Sequence, residues 1–272
     1  MKKILTTCFM LLIAFTASAQ LDTIYTRTEV IPCGVREITE TSARFSYPNE
    51  SLINTISLNQ IVKIVFKSGR IQTFSNATSY KELTSPLQWN LVSIANTELE
   101  IQGLYKVGDV SSKAKGTTEF SNQERVRQRA LDKIKVQAAL LGGNIIHLSH
   151  MRSEGNKYGF WEDNTSESSV MGIAYASKLP LWNDVKDKII PQKRFQVTES
   201  FWLANSNAQL KQSEIQASLY INDIREEHGT IWISGILTND PQTEFRLSYF
   251  NESSFYIVYK TRRGIFSYKI EL

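Results

Sequence analysis

The chain has 272 residues, of which 42% are hydrophobic and 21% are charged, which is typical of a globular protein and excludes the disordered and fibrous classes. Thirty-one Lys and Arg residues against 27 Asp and Glu residues give a formal charge of +4. That surplus is too small to predict nucleic acid as a partner. Two cysteines and three histidines leave few soft metal ligands, and no cofactor is expected.

The first 19 residues are predicted to be a signal peptide. Lys2 and Lys3 precede a mostly apolar run at 4–15, and Ala17-Ser18-Ala19 is a small-residue cleavage signal. The apolar run is shorter than the roughly 20 residues that a membrane span needs. We therefore expect cleavage after Ala19, export to the periplasm or the outer membrane, and no transmembrane segment in the mature chain.

Cys33 is the single cysteine that remains after cleavage, so no intramolecular disulfide is expected. It lies in an apolar, strand-like stretch, which favours a buried hydrophobic role for its thiol. A reactive thiol or an intermolecular bridge is the alternative.

Residues 20–75 are predicted to form a small β-barrel-like domain. Apolar runs at 30–38, 43–47, 61–66 and 70–74 predict short strands, and Ser68-Gly69 is a hairpin signal because Gly accepts positive φ. Residues 76–97 are predicted to be a connector.

Residues 98–178 are predicted to form an α+β domain with one main helix. Strands are expected at 98–107, 144–149 and 169–176, and Ser121 with Glu124 forms a capping-box pattern. The helix stops at Gly142-Gly143. One apolar stripe at helical spacing runs along this helix and consists of Val126, Ala130, Ile134, Ala138 and Leu141. Basic residues, Lys133 and Lys135 among them, are expected to cover its other faces.

A second connector at 179–194, with one short helical turn, is predicted to lead into an antiparallel β domain at 195–272. Short strands and turns fill this third predicted domain, which is rich in aromatic residues. Trp232 and Tyr256 are candidates for a ligand-binding face. Core or cross-strand packing is the favoured interpretation for most of the rings in this domain.

The first predicted domain, at 20–75, resembles a short β domain found in exported proteins of uncharacterised function from Gram-negative bacteria. The resemblance rests on Asp22-Thr23-Ile24, on Val35-Arg36-Glu37-Ile38, on Phe45-Ser46-Tyr47 and on the stretch 61–70. The Gly-containing turn usual before the second strand is replaced here by Arg27-Thr28-Glu29.

The second predicted domain, at 98–178, is similar to a small α+β domain shared by an outer-membrane stress-sensor lipoprotein and a heavy-metal-binding family. The matching positions are Arg129-Ala130, Ala138-Ala139, 141–146 and Gly172-Ile173-Ala174-Tyr175. The resemblance implies a helix, a Gly-Asn turn and a closing strand. It transfers neither the sensor's disulfides nor the metal site, because this domain has no cysteine.

No catalytic motif is present in the sequence, and the nearest approach to a metal site is His147-Leu148-Ser149-His150. Side chains alternate along a strand, so His147 and His150 are expected on opposite faces unless the strand bends after Ser149. Satisfied or solvent-facing histidines are the favoured interpretation. Tyr158, Phe160 and Trp161 lie in a polar loop, where they are either interface anchors or caps of the sheet edge.

The sequence therefore predicts a non-enzymatic exported envelope protein that binds or scaffolds in the periplasm. Its partner would be an envelope protein or a small ligand. The first alternative is a ligand-binding or enzymatic C-terminal β domain with an aromatic-lined cavity. The weaker alternative is a metal-binding stress sensor.

Overall fold

The computed structural model describes residues 21–26, 29–74, 80–116, 122–154, 166–190 and 192–272. The chain divides into two compact units, Met1–Phe74 and Ser75–Leu272. Sixteen strands and two α-helices occur in the described ranges, which confirms the predicted mostly β, α+β fold. Neither helix there has the length and apolar character of a membrane span.

The first unit contains a six-stranded antiparallel sheet with the order β4-β3-β2-β1-β5-β6. Within its described residues no pairing joins β4 to β6, so the sheet is open where a barrel-like domain was predicted. The short strands β1 and β4 were not predicted, because each has few apolar residues. The bounds are β1 (Asp22–Thr26), β2 (Val30–Ile38), β3 (Ser42–Ser46), β4 (Asn54–Ser57), β5 (Ile61–Val65) and β6 (Ile71–Thr73).

The core of the first unit contains Cys33, which is fully buried and has a free thiol, as predicted. Burial, followed by the negative charge of Asp22, raises the pKa of the Cys33 thiol to about 11. Asp22 is itself buried, and its carboxylate accepts hydrogen bonds of 2.8 Å from the backbone N–H groups of both Val35 and Lys67. The hairpin predicted at Ser68-Gly69 is present, with φ of 82° at Gly69.

The second unit begins with a four-stranded sheet of order β7-β9-β10-β8, in which β7 runs parallel to β9 and the other pairs are antiparallel. Helix α1 (Gln123–Leu140) packs on one face of this sheet. The bounds are β7 (Ser93–Ala95), β8 (Tyr105–Lys115), β9 (Ile145–Glu154) and β10 (Glu167–Ala176).

Helix α1 forms as its apolar stripe predicted, and all five stripe residues are buried. Its start differs from the prediction. The N-cap is Asn122, whose side chain accepts from the backbone N–H groups of Glu124 and Arg125, and Ser121 lies outside the described residues. Gly142 follows the helix with φ of 77° and ends it as predicted.

The prediction of a strand at 98–107 is wrong for its first half. Residues Glu98–Ile101 form a 3₁₀ helix instead. The Glu100 carboxylate accepts hydrogen bonds from the backbone N–H groups of Asn96 and Thr97. This local capping competes with sheet pairing. Gly103 then turns the chain with φ of 76°, and β8 begins at Tyr105.

After helix α2 (Trp182–Ile189), six antiparallel strands close into a barrel, because β16 pairs with both β15 and β11. Another 3₁₀ segment, Pro86–Leu91, lies in the connector before the four-stranded sheet. The barrel strands are β11 (Arg194–Ala204), β12 (Lys211–Glu227), β13 (Thr230–Leu237), β14 (Glu244–Phe250), β15 (Ser254–Lys260) and β16 (Gly264–Glu271).

The inward side chains of all six barrel strands form one apolar cluster, with Phe245 and Phe255 among its fully buried members. Val185 and Ile189 from α2 belong to the same cluster and cover one end of the barrel. The interior of the barrel is therefore occupied by side chains.

Two of the β-bulges in the barrel turn side chains outward, toward helix α1. The register shifts at Thr198 on β11 and at Ser248 on β14. An extra residue reverses the alternation of the strand beyond it. Phe201 and Tyr249 therefore leave the barrel interior and join the cluster that contains α1.

Candidate functional site

The barrel and the α+β module pack against each other along helix α1, in a contact that we call the seam. Its apolar part joins Phe201, Tyr256 and Ile265 of the barrel to Ala130 and Ile134 of α1. All five residues are buried. The seam makes the two modules neighbours within one compact unit.

Two barrel side chains cap the C-terminal end of α1. Arg246 donates to the backbone carbonyl oxygens of Val107 and Leu141, and the Tyr249 hydroxyl donates to the carbonyl of Ala139 at 2.5 Å. Cations are favourable at this end of a helix because its carbonyl dipoles converge there. Burial lowers the pKa of Arg246 to about 10, which leaves it charged at neutral pH, and burial raises the pKa of Tyr249.

Lys133 lies in the middle of α1 and is only 6% exposed. The sequence predicted it on a solvent-exposed face of the helix, away from the apolar stripe. Its ammonium donates to the backbone carbonyl of Asn205 in the β11–β12 turn at 2.5 Å. Burial lowers the pKa of Lys133. The side chain is buried because the barrel covers this part of the helix, a long-range contact that helical spacing does not reveal.

Strand β8 forms one edge of the four-stranded sheet, and side chains satisfy its outward backbone groups. The Gln137 amide both donates to the Ser111 carbonyl at 2.7 Å and accepts from the Ser111 N–H at 2.9 Å. Arg129 donates to the carbonyl of Lys115 at 2.8 Å, and Lys260 donates to that of Asp109 at 3.2 Å. These contacts restrict the pairing of another strand with this edge.

A cleft of about 410 Å³ opens between this edge, α1 and the barrel. We call it the lysine cleft, because three lysines and no carboxylate occur among the described residues that line it. Of the three, Lys113 pairs with Glu167, whose pKa is lowered by hydrogen bonds from Lys113 and Lys115. The lining residues used below are Ser111, Ser112, Lys113, Lys133, Met171 and Lys260.

A smaller cleft of about 220 Å³ lies where the connector passes the barrel. Asn144 in its lining donates to the Lys81 carbonyl at 3.0 Å and to the Ser177 hydroxyl at 2.8 Å, and it accepts from the Ser177 N–H at 3.0 Å. This side chain is held by the fold, and it ties the connector to the end of β10.

The two candidate barrel aromatics are separated in the structure, and both lie on the outer face. Tyr256 is 5% exposed and packs in the seam, with its ring centroid 5.6 Å from that of Tyr249 at 81°. Trp232 is partly exposed on β13, opposite Arg225 and Arg246 in register. Tyr256 is thus a packing residue of the seam, and a binding role for Trp232 stays a prediction.

A row of stacked rings crosses three barrel strands. Phe266 stacks on Trp202 at 5.8 Å and on Tyr259 at 5.1 Å, and the hydroxyls of Tyr259 and Tyr268 donate to Asp240 at 2.5 and 2.6 Å. Burial and the hydrogen bonds to Asp240 raise the pKa values of both tyrosines. The rings cover one another, which favours a packing role.

His147 and His150 share one face of the sheet, contrary to the expectation from strand alternation. His147 pairs with Ile173 and His150 with Met171, and the register shift places a bulge at Ser149. The bulge adds one residue between the histidines and restores a two-residue spacing. No group of three or more His, Cys, Asp or Glu suited to a metal ion occurs in the described part of the chain.

Tyr158, Phe160 and Trp161 lie outside the described residues, so their predicted interface role stays a prediction. No protein-family model matches the chain, and no curated protein or solved structure is significantly similar to it. The resemblances drawn from short sequence motifs therefore also stay predictions.

Proposed function

We propose that this chain is a non-enzymatic exported protein of the bacterial envelope whose second unit binds a ligand or partner. The observation that carries the proposal is the lysine cleft, a cation-lined opening of about 410 Å³ along the seam. Arg246, Tyr249 and Lys133 each bond across the seam to a backbone carbonyl, so the walls of the cleft are held in place. A preorganised opening binds at a lower entropic cost than a mobile one.

The predicted leader supports the export half of the proposal, since a basic start, an apolar run and Ala17-Ser18-Ala19 form the pattern of a signal peptide. The experiment is expression of the full chain in a Gram-negative host, followed by fractionation and N-terminal sequencing. We expect a periplasmic or outer-membrane product that begins at Gln20. An Ala19→Leu variant should remain uncleaved, because the last residue of the cleavage signal must be small. A full-length cytosolic product of the native sequence would contradict export.

The binding half is tested with a photo-crosslinking residue placed at one exposed position at a time. Met171 lines the lysine cleft and is 47% exposed, whereas Ile236 on β13 is 57% exposed and is not among the residues that line the cleft. We expect adducts in envelope-bearing cells at Met171 and few at Ile236. Equal yields at the two positions, or none at Met171, would count against the cleft as the binding surface.

The filled barrel interior favours this external surface over the alternative of an aromatic-lined cavity within the barrel. The inward cluster contains residues from every barrel strand and two from α2. A ligand inside the barrel would have to displace several of these fully buried side chains, which interior packing resists.

Metal binding is a second candidate function, because the bulge at Ser149 places His147 and His150 on one face. Zn²⁺ that binds these imidazoles in the native state must raise the melting temperature of the mature protein. The shift should disappear in a His150→Ala variant and persist in a variant of His228, which lies in the β12–β13 turn. An unchanged melting temperature on Zn²⁺ addition would remove this candidate.

A further inference from the structure

We infer that the lysine cleft is a binding site for an oxyanion, namely a phosphate, sulfate or carboxylate group carried by a small molecule. The inference rests on the proposed binding function and adds the chemical class of the ligand. It is carried by three features of the cleft: a buried ammonium, an unbonded buried hydroxyl and an excess of positive charge.

The buried ammonium is that of Lys133. It has three N–H donors, and one of them bonds to a neutral acceptor, the Asn205 carbonyl. Across the described ranges no ion pair includes Lys133. Burying a charge without a partner is unfavourable, and an anion in the cleft would supply the missing counter-charge.

The unbonded hydroxyl is that of Ser112, which is 7% exposed and lines the same cleft. Its Oγ has no hydrogen-bond partner among the residues that the structure describes. Native proteins rarely leave such a buried hydroxyl unsatisfied. A hydroxyl donates readily to an oxyanion, so a ligand that satisfies Lys133 could satisfy Ser112 as well.

The charge excess comes from Lys260, which is exposed on the β15–β16 side of the cleft and donates to the neutral carbonyl of Asp109. Lys113 is paired with Glu167 and adds little net charge. The part of the cleft that the structure describes therefore offers one buried and one exposed cation and no carboxylate. Apolar or cationic ligands would leave both ammonium groups uncompensated.

The test is titration of the mature protein with inorganic phosphate, sulfate or citrate, with NaCl at matched ionic strength as the reference. We expect at least one of the three oxyanions to raise the melting temperature saturably and to give a binding isotherm by calorimetry, while NaCl does neither. Stronger binding of citrate would identify a carboxylate ligand, and stronger binding of phosphate would identify a phosphoryl ligand.

Two variants of α1 form the matched pair. Lys133→Met keeps the length of the side chain and should weaken oxyanion binding by at least about tenfold. Lys135→Met removes the same charge from the same helix outside the cleft and should bind like the native protein. If Lys133→Met fails to fold, Lys260→Gln alters an exposed position and should still weaken binding several-fold.

Equal binding to Lys133→Met and Lys135→Met would overturn the inference. So would a response to NaCl equal to that of the oxyanions, or no binding of phosphate, sulfate or citrate. Failure here is distinguishable from failure of the proposed function, because fractionation and crosslinking do not depend on the ligand being anionic.

Discussion

Removing a single hydroxyl from the seam provides a direct test of the contact between barrel and helix. Tyr249→Phe keeps the ring and its edge-to-face contact with Tyr256, and deletes the 2.5 Å hydrogen bond to the Ala139 carbonyl. That carbonyl keeps a 2.9 Å bond from the Gly142 N–H, so it is not left orphaned. A buried hydrogen bond of this kind contributes about 1–2 kcal/mol to the free energy of unfolding.

For a unit of this size, such a loss lowers the melting temperature by about 2–8 °C. All five tryptophans lie in Ser75–Leu272, so tryptophan fluorescence during urea or thermal unfolding reports on this unit. Tyr256→Phe is the matched control and should change stability little, because the Tyr256 hydroxyl donates no hydrogen bond to any described residue. Equal losses in the two variants, or no loss in Tyr249→Phe, would refute the reasoning.

Three further predictions concern the glycine turn after α1 and the core of the first unit. Gly142→Ala should lower the free energy of unfolding by about 3 kcal/mol or more, because φ is 77° and the new Cβ would lie 2.6 Å from the Ser248 oxygen. Gly69→Ala, with φ of 82° and open space, should cost about 1–2 kcal/mol in the same urea titration; equal costs would contradict the clash. The Cys33 thiol should resist a disulfide exchange reagent in native buffer and react at once in denaturant. Its pKa is raised from 9.0 to about 11, so the unfolded chain loses this proton first, and the free energy of unfolding should fall between pH 9 and 11. Asp22→Asn should lower stability by about 1–3 kcal/mol in urea unfolding followed by circular dichroism, because it weakens two hydrogen bonds to backbone N–H groups; no change would show that these bonds add nothing.

The elements of the fold were predictable wherever a local pattern sets them. Helix α1 followed from one apolar stripe and a glycine stop, because both depend on residues within a few turns. The later barrel strands followed from apolar runs between turn residues. Short polar strands such as β1 and β4 were missed, because their pairing partners, rather than their own composition, make them strands.

Side-chain direction was harder to predict, because one bulge reverses it. His147 and His150 were expected on opposite faces, and the bulge at Ser149 places them together. The bulges at Thr198 and Ser248 likewise turn Phe201 and Tyr249 toward α1. A bulge is fixed by pairing with a distant strand, so the residues flanking it carry no clear signal of its position.

From its sequence alone, this protein is an α+β chain with a buried thiol and an antiparallel C-terminal β domain, because periodicity and turn chemistry act over short distances. The tertiary structure decided which polar residues matter. Lys133 and Arg246 look like surface residues in the sequence, and each is buried by a segment 72 or more positions away. The lysine cleft exists because the barrel docks across α1, and contacts between segments so far apart leave no local pattern to predict them.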